Sequence, residues 1–249
     1  MPINDIPSAL VILAALFLGG MLKGATGAGV PVVAVPVMAA FFDVRLAVII
    51  MVTPNLVSNL WQLRQYRGHH IAGGFGLRLA GAGAVGALIG TVMLATLPVA
   101  ALTLLLAAVV ILYIAMRLAL PQFRLNLAAA NRVVLPLGLA AGVLQGAGGI
   151  SAPISVSLLN AMRLERPVFI ATISAFFAAM SAAQLPALFA YGLMTPTLLV
   201  LSAVALLPLF AGMPVGAWLA RRMSARAFDR LVLGLLCVLA VRLIYVALG

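Results

Sequence analysis

The chain has 249 residues, of which 65% are hydrophobic and 8% are charged, and its mean hydropathy is +1.26. Soluble domains contain about 45–50% apolar and roughly 25% charged residues, so this composition excludes a soluble globular protein. At about 20 residues for each membrane crossing, the length allows roughly eight to ten hydrophobic segments and leaves little chain for a domain outside the membrane.

The net charge of +11 comes from 15 basic and 4 acidic residues. In a soluble protein this excess would suggest a nucleic-acid partner. Here the arginines stand in short groups between apolar stretches, as in cytoplasmic loops, and no aromatic residues alternate with them to stack on bases. We therefore expect no nucleic-acid partner.

Ten hydrophobic stretches follow one another along the chain, and each is predicted to be a helix because an open strand edge is unstable in lipid. They cover residues 6–23, 30–41, 46–63, 71–95, 98–119, 133–144, 150–161, 167–190, 195–219 and 228–248. Residues 1–5 contain no Lys or Arg, so the first stretch lacks the positive region of a signal peptide. We expect this stretch to be retained, with the N-terminus outside. The single cysteine, Cys237, is expected to be packed in the core.

The loop arginines predict the orientation in the membrane, since cytoplasmic loops carry an excess of basic residues. Eleven arginines in four groups place their loops in the cytoplasm: Arg64, Arg67, Arg117, Arg124, Arg132, Arg163, Arg166, Arg221, Arg222, Arg226 and Arg230. The breaks at 43–45, 96–98 and 191–192 hold only Arg45 and are predicted to lie outside.

The two halves of the chain resemble each other. At an offset of 122, four small residues of the first half match the second: Gly24 with Gly146, Ala25 with Ala147, Gly27 with Gly149, and Pro31 with Pro153. Further on, Gly86 and Gly90 match Gly212 and Gly216 at an offset of 126. We interpret these later glycines, with Gly81 and Gly83, as close helix packing. The pattern divides the chain into repeats over 1–122 and 123–249, which together form one membrane domain.

Each loop of the first half lies on the opposite side from its counterpart in the second half, which is typical of an inverted-topology repeat. The predicted fold is an all-α integral membrane protein with two such repeats, each with a glycine-broken pair of half-helices followed by three spanning helices. Twelve residues cover only about 18 Å of a roughly 30 Å core, so 133–144 and 150–161 are predicted to be half-helices that meet at 146–149. The first-half break is predicted over 24–29, after a segment long enough to span.

The glycine breaks predict an anion site. Glycine lets the backbone turn sharply and leave amides exposed, which is tolerated at membrane depth only inside protein or beside a wet cavity. Pro31 and Pro153 are expected near the first position of the helices that follow, whose positive dipole ends would point into that cavity. The candidate ligands at the breaks are Lys23, Gly24, Thr26, Gly27, Gly29, Gln145, Gly146, Gly148, Gly149, Ser151 and Ser155.

Lys23 is the only lysine, and it precedes the first break near the end of an apolar stretch. A charge there is costly unless it is partnered or hydrated, so we interpret Lys23 as an anion ligand. The alternative is a lysine that extends to the membrane interface. Its counterpart Gln145 is also polar, which favours a pair of substrate-facing positions.

A second group of polar residues lies on the third and eighth stretches. Asn55, Asn59 and Gln62 are spaced i, i+4 and i+7, which places them on one helix face, as expected for the lining of a cavity. The remaining candidates, Ser58, Ser174, Ser181 and Gln184, can equally serve as hydrogen-bonding contacts between helices.

The acidic residues, Asp5, Asp43, Glu165 and Asp229, all fall in or beside predicted loops. We therefore expect neither a carboxylate proton relay nor a cation site within the membrane. His69 and His70 adjoin a cytoplasmic loop and are expected to be solvated. Arg78 and Arg242 lie within stretches and are either secondary anion contacts or extended to the interface. No catalytic constellation appears, so we predict no enzyme, no metal and no cofactor.

Three motifs carry a resemblance to a known family. They are G-x-x-G-x-G-x-P over 24–31, G-x-G-G-x-S-x-P over 146–153, and N-L-W-Q over 59–62. In a short chain of two halves, they resemble the TauE/SafE sulfite-exporter family of membrane permeases. The resemblance implies an inner bacterial membrane protein that moves sulfite, organosulfonates or small organic acids. It places the family's glycine motifs at Gly24, Gly27, Gly29, Pro31, Gly146, Gly148, Gly149 and Pro153, whereas Thr26 and Ala28 depart from the more glycine-rich form.

These observations predict a transporter of small anions that works by alternating access around a midplane site formed by the two breaks. Export is favoured because a negative interior drives each exported negative charge by about 2.3 kcal/mol per 100 mV. The alternatives are an anion channel, a proton- or sodium-coupled anion importer, and a scaffold that transports nothing. The expected partners are a small anion and membrane lipid, and the oligomeric state is left open.

Overall fold

The computed structural model describes residues 6–69, 71–119, 124–222 and 225–248, and within these ranges it contains helices and no strands. The helices, which we number in chain order, are α1 (Ile6–Thr26), α2 (Val30–Phe41), α3 (Val44–Gln65), α4 (Phe75–Thr96), α5 (Val99–Ala119), α6 (Leu127–Gly148), α7 (Ala152–Ala161), α8 (Arg166–Ala190), α9 (Pro196–Val204), α10 (Leu206–Arg222) and α11 (Ala225–Leu248). A 3-10 turn, Ala72–Gly74, precedes α4.

Eight stretches of the described chain are long and apolar enough to cross a membrane, with α9 and α10 counted together as one. The two remaining helices, α2 and α7, have 12 and 10 residues and cover only about 18 and 15 Å. The prediction of an all-helical membrane protein is confirmed.

The predicted half-helix over 133–144 is wrong. It is part of α6, whose 22 residues extend roughly 33 Å, enough for a full crossing. The side chain of Asn126 accepts a hydrogen bond from the amide of Ala129 and so caps the helix N-terminus. Asn131 and Arg132 stand directly before the predicted apolar stretch, but α6 begins at Leu127 and includes them. Both halves therefore pair one long helix with one short helix.

The breaks are shorter than predicted and occupy residues 27–29 and 149–151, again at an offset of 122. Gly27 (φ 86°), Gly29 (φ 95°) and Gly149 (φ 74°) adopt the left-handed conformation that glycine tolerates best. Proline stands at the first or second position of both α2 and α7, as predicted from Pro31 and Pro153.

The stretch predicted as one helix over 195–219 is divided at Ala205 into α9 and α10. Pro208 accounts for the division, because a proline lacks the amide that would donate to the carbonyl four residues earlier, and its ring crowds that turn. Cys237 is exposed rather than packed in the core.

Two helix crossings are lined by glycine. Gly86 and Gly90 of α4 lie against the backbone of α6, and Gly212 and Gly216 of α10 lie against the backbone of α1. At each of these glycines an added Cβ would overlap a backbone carbonyl of the facing helix. The packing interpretation is confirmed for these four and for Gly83, which faces the ring of Phe176, but it is wrong for Gly81, which faces open space.

The two crossings have the same pattern of contacts. Gly20 of α1 faces the carbonyl of Leu209, and Gly142 of α6 faces the carbonyl of Gly83. These pairs are related by the offsets found in the sequence, 122 for α1 and α6 and 126 for α4 and α10. Each half of the chain thus packs one helix against the other half, which joins the two halves into one unit.

Replacing Gly86 by alanine is expected to destabilise the fold by about 1–3 kcal/mol, because the new methyl group overlaps the carbonyl of Leu139. The matched control is Gly81→Ala in the same helix, where nothing lies within 4 Å; it should be neutral or stabilising by up to roughly 1 kcal/mol. Thermal unfolding of the purified protein in detergent measures both. Equal stability of the two variants would contradict the proposed close crossing.

Candidate functional site

A cluster of buried polar side chains lies between α3 and α8, close to the end of α1. The two helices run antiparallel, since Asn55 bonds to Ser181 and Gln62 bonds to Ser174. The cluster members that are buried are Lys23, Asn55, Ser58, Asn59, Gln62, Ser174, Ser181 and Gln184. Helices α3 and α8 therefore bring together the polar residues that the sequence placed on two separate stretches.

Lys23 reaches this cluster from α1. Its side chain is 1% exposed, and its Nζ donates a hydrogen bond of 2.7 Å to Oδ1 of Asn59. The alternative of a lysine that extends to the interface is wrong, because the ammonium group is enclosed by protein.

The hydrogen bonds continue from Asn59 across the interface between the halves. Its Nδ2 donates to the backbone oxygen of Asn55 at 2.6 Å and to Oδ1 of Asn55 at 2.9 Å. Nδ2 of Asn55 in turn donates to Oγ of Ser181 at 2.9 Å. Lys23 is thus connected through two asparagines to the second half of the chain.

The offset of 122 also relates polar residues within this cluster. Asn59 corresponds to Ser181, and Gln62 corresponds to Gln184, a relation that the sequence contained but that we did not use. Oε1 of Gln62 accepts from Oγ of Ser174 at 3.1 Å, whereas Nε2 of Gln184 donates to the carbonyl of Gly146 at 3.0 Å. Corresponding residues therefore have different partners, and the cluster is not symmetric.

The second break has its own hydrogen bonds. Oγ of Ser151 donates to Oε1 of Gln145 at 3.2 Å and lies 3.3 Å from Oγ of Ser155. Gln145, the counterpart of Lys23, thus pairs with its own break, whereas Lys23 pairs with α3.

The predicted break glycines have different surroundings. Gly24 and Gly146 lie inside α1 and α6, where they face the backbone of α10 and α4. Gly27 faces the side chain of Ile170, and Gly149 faces Val35 and Val48, while Gly148 faces nothing within 4 Å. Thr26 directs its hydroxyl to the carbonyl oxygens of Leu22 and Ala28. The hydroxyl of Thr26 thus links the last turn of α1 to the backbone of the first break.

A cavity of about 650 Å³ lies beside the first break. It is lined by Leu22, Thr26, Ala28, Gly29, Val32, Tyr113, Met116, Arg117, Val156, Ser157, Leu159, Asn160, Ala161, Arg163, Leu164, Arg166, Phe169 and Val232. None of the lining residues comes from 149–151, whereas the C-terminal part of α7 borders the cavity together with the first break.

Three arginines, Arg117, Arg163 and Arg166, make the wall of this cavity basic. Neither Asp43 nor Glu165, the acidic residues with described side chains, lines it. From the sequence these arginines were interpreted only as loop charge, and their convergence on the first break was missed. Nη2 of Arg166 also lies 3.4 Å from the carbonyl of Ala25, at the end of α1.

Two other basic residues donate hydrogen bonds to backbone carbonyls beside helix ends. Nη2 of Arg78 donates to the carbonyl of Gly73 at 3.0 Å and to Oδ1 of Asn131 at 2.8 Å. Nε of Arg242 donates to the carbonyl of Ala40 at 2.9 Å. His69 is exposed, as expected, and His70 lies outside the described residues. The described part of the chain contains no group of three His, Cys, Asp or Glu suited to a metal ion.

Asn59→Leu is expected to destabilise the protein by about 1–3 kcal/mol, because it leaves the buried ammonium of Lys23 without its acceptor. The double variant Lys23→Met, Asn59→Leu should recover part of this loss, since an apolar side chain of similar length needs no acceptor. A double-mutant cycle from thermal unfolding measures the coupling. If Asn59→Leu lowers the free energy of unfolding equally in the wild type and in Lys23→Met, the Lys23–Asn59 hydrogen bond does not contribute to stability.

The family model described as Sulfite exporter TauE/SafE matches residues 12–243 of this chain. Comparison with curated proteins and with solved structures gives no significant match.

Proposed function

Because the chain belongs to the sulfite exporter TauE/SafE family, whose members are membrane anion exporters, we propose that it exports a small anion such as sulfite, an organosulfonate or a small organic acid. The observation that carries this proposal is the buried Lys23, bonded to a neutral amide and placed next to a cavity lined by three arginines.

The charge of Lys23 supports an anionic ligand. An ammonium group removed from water is costly unless an opposite charge or several acceptors compensate for it. The hydrogen-bond partner of Lys23 in the structure is the amide oxygen of Asn59, which carries only a partial charge. A substrate anion at Nζ would supply the compensation, and Asn59 and Asn55 would orient the lysine toward it.

The cavity supplies a route to this site. Leu22 and Thr26, which line the cavity, flank Lys23 in α1. An anion attracted by Arg163 and Arg166 would reach the first break, and a local movement there would uncover Lys23. We place the site at Lys23, Asn59 and Asn55, because these side chains are buried and joined to one another by hydrogen bonds.

We propose that the two halves form an inverted repeat and that transport proceeds by alternating access. The corresponding glycine crossings of α1 with α10 and of α6 with α4 support the repeat, and the opposite sidedness of the loop arginines supports the inversion. In this arrangement the N-terminus is outside, the arginine cavity opens to the cytoplasm, and the protein lies in a bacterial inner membrane. The described conformation is then open to the inside.

Lys23→Gln is expected to raise the substrate concentration at half-maximal flux by about 10- to 100-fold, because a hydrogen bond to a charged group contributes about 1.5–3 kcal/mol. The measurement is the flux of sulfite and of sulfoacetate in proteoliposomes under an imposed membrane potential. The wild type should show saturation and counterflow.

The control is Arg78→Gln, which also removes one positive charge but from an exposed helix end, and which should leave the half-maximal concentration unchanged. If Lys23→Gln keeps the wild-type value, Lys23 is not a ligand. Flux that neither saturates nor shows counterflow would indicate a channel instead of a transporter.

Arg163→Gln and Arg166→Gln are expected to raise the half-maximal concentration several-fold at low salt, with a smaller effect at 0.5 M salt, because attraction by exposed charges is screened over a Debye length of about 10 Å at 0.1 M. Arg67→Gln, a loop arginine that does not line the cavity, serves as the charge-matched control. An effect independent of salt, or an equal effect of Arg67→Gln, would contradict steering by the cavity arginines.

A further inference from the structure

Arg242 of α11 holds the C-terminal end of α2. Its Nε donates to the carbonyl of Ala40 at 2.9 Å, and its guanidinium carbon lies 3.6 Å from the ring centroid of Phe41. A guanidinium within about 6 Å of an aromatic centroid is attracted to the ring face. The contact joins the second half of the chain, through α11, to the first half, through α2.

The offset of 122 relates the end of α2 to the end of α7, which borders the open cavity. Asn160, Ala161 and Arg163 line the cavity, and their counterparts are Met38, Ala39 and Phe41. At the offset of 126, Arg242 corresponds to Met116, which also lines the cavity. The contact of Arg242 with the end of α2 therefore corresponds, in the repeat, to the open cavity at the end of α7.

Several counterparts of the cavity wall are buried, whereas Phe41, the counterpart of Arg163, is 49% exposed. Met38 and Ala39 are each 1% exposed, and Val44 and Ala47, which correspond to Arg166 and Phe169, are 0% exposed. Where the arginine side has a cavity of about 650 Å³, the corresponding place thus holds buried apolar side chains beneath the exposed contact of Phe41 with Arg242.

We infer that the contact of Arg242 with Ala40 and Phe41 is a latch that keeps the gate opposite the arginine cavity closed. This inference rests on the alternating access proposed above. When the halves move, the latch parts, a second cavity opens at the end of α2, and Arg242 supplies its positive charge. The anion then meets arginine side chains at both ends of its path: those of the open cavity at one end and Arg242 at the other. Arg242 does not correspond to a cavity arginine at the repeat offset, since its counterpart is Met116.

The contact of Arg242 differs from an ordinary helix cap because it joins helices from different halves of the chain. Arg45 also donates to a helix end, through Nε to the carbonyl of Leu94 at 2.8 Å and through Nη2 to the carbonyl of Leu97. Arg45 and its acceptors all belong to the first half, so a motion between halves leaves their contact intact. Arg242 and Ala40 belong to different halves, so their contact is one that the same motion can break.

The test uses cysteine accessibility in intact membranes. Cys237 is replaced by serine, and one reporter cysteine is introduced in each variant. Ala39→Cys reports on the closed place at the end of α2, and Ser157→Cys reports on the open cavity. Labelling with a membrane-impermeant maleimide is measured from each side, in the presence and absence of Arg242→Met. Arg45→Met is the matched control, because it removes an arginine that caps a helix within one half.

Arg242→Met is expected to raise labelling at position 39 roughly tenfold from one side, and to lower labelling at position 157 from the other, because a lost hydrogen bond and cation–π contact shift the balance between states. Phe41→Leu should act in the same direction with a smaller change, and Arg45→Met should change neither reporter.

Equal increases at both positions would mean that Arg242 only stabilises the helix bundle, and unchanged labelling would mean that it holds no gate; either result overturns the inference. The readout requires no transported anion, so it is separable from the flux experiment. Reciprocal labelling together with absent flux would contradict the proposed substrates and leave the latch in place.

Discussion

The architecture depends on two helix crossings at which backbones touch through glycine. Helices in lipid gain little from burying apolar surface against each other, so association relies on close packing through small residues. Here the close crossings join α1 to α10 and α4 to α6. Each half therefore completes the packing of the other, and the short helices α2 and α7 are left inside this frame. Side chains at these glycines would separate the crossings on which the positions of both breaks depend.

Within this frame the main electrostatic feature is one buried lysine. Lys23 stands one turn before the first break, and Asn59 and Asn55 link it to Ser181 of the other half. Charge in such a place is costly without compensation. The basic cavity beside the first break and the buried apolar side chains near the end of α2 differ in character, although the halves share the same pattern of helices.

Much of the fold followed from local sequence features, and the errors have physical causes. Apolar stretches located the helices, but Asn131 and Arg132 concealed the start of α6, since a helix that begins at a polar cap needs no apolar residues in its first turns. Gly24 and Gly146 were assigned to the breaks because glycine serves both sharp turns and close helix contacts. Which of the two applies depends on a facing helix from the other half.

The sequence by itself determined the membrane class, the helical composition, the two breaks at a constant offset and the family resemblance, because these depend on composition and on local backbone chemistry. Only the tertiary structure decided which polar side chains meet. Lys23 and Asn59 are 36 residues apart, and Asn55 and Ser181 are 126 apart. It also decided that the arginines of the α7–α8 connection face the first break. A hydrophobic pattern identifies helices, but it contains no record of which helices become neighbours or which faces they turn to each other.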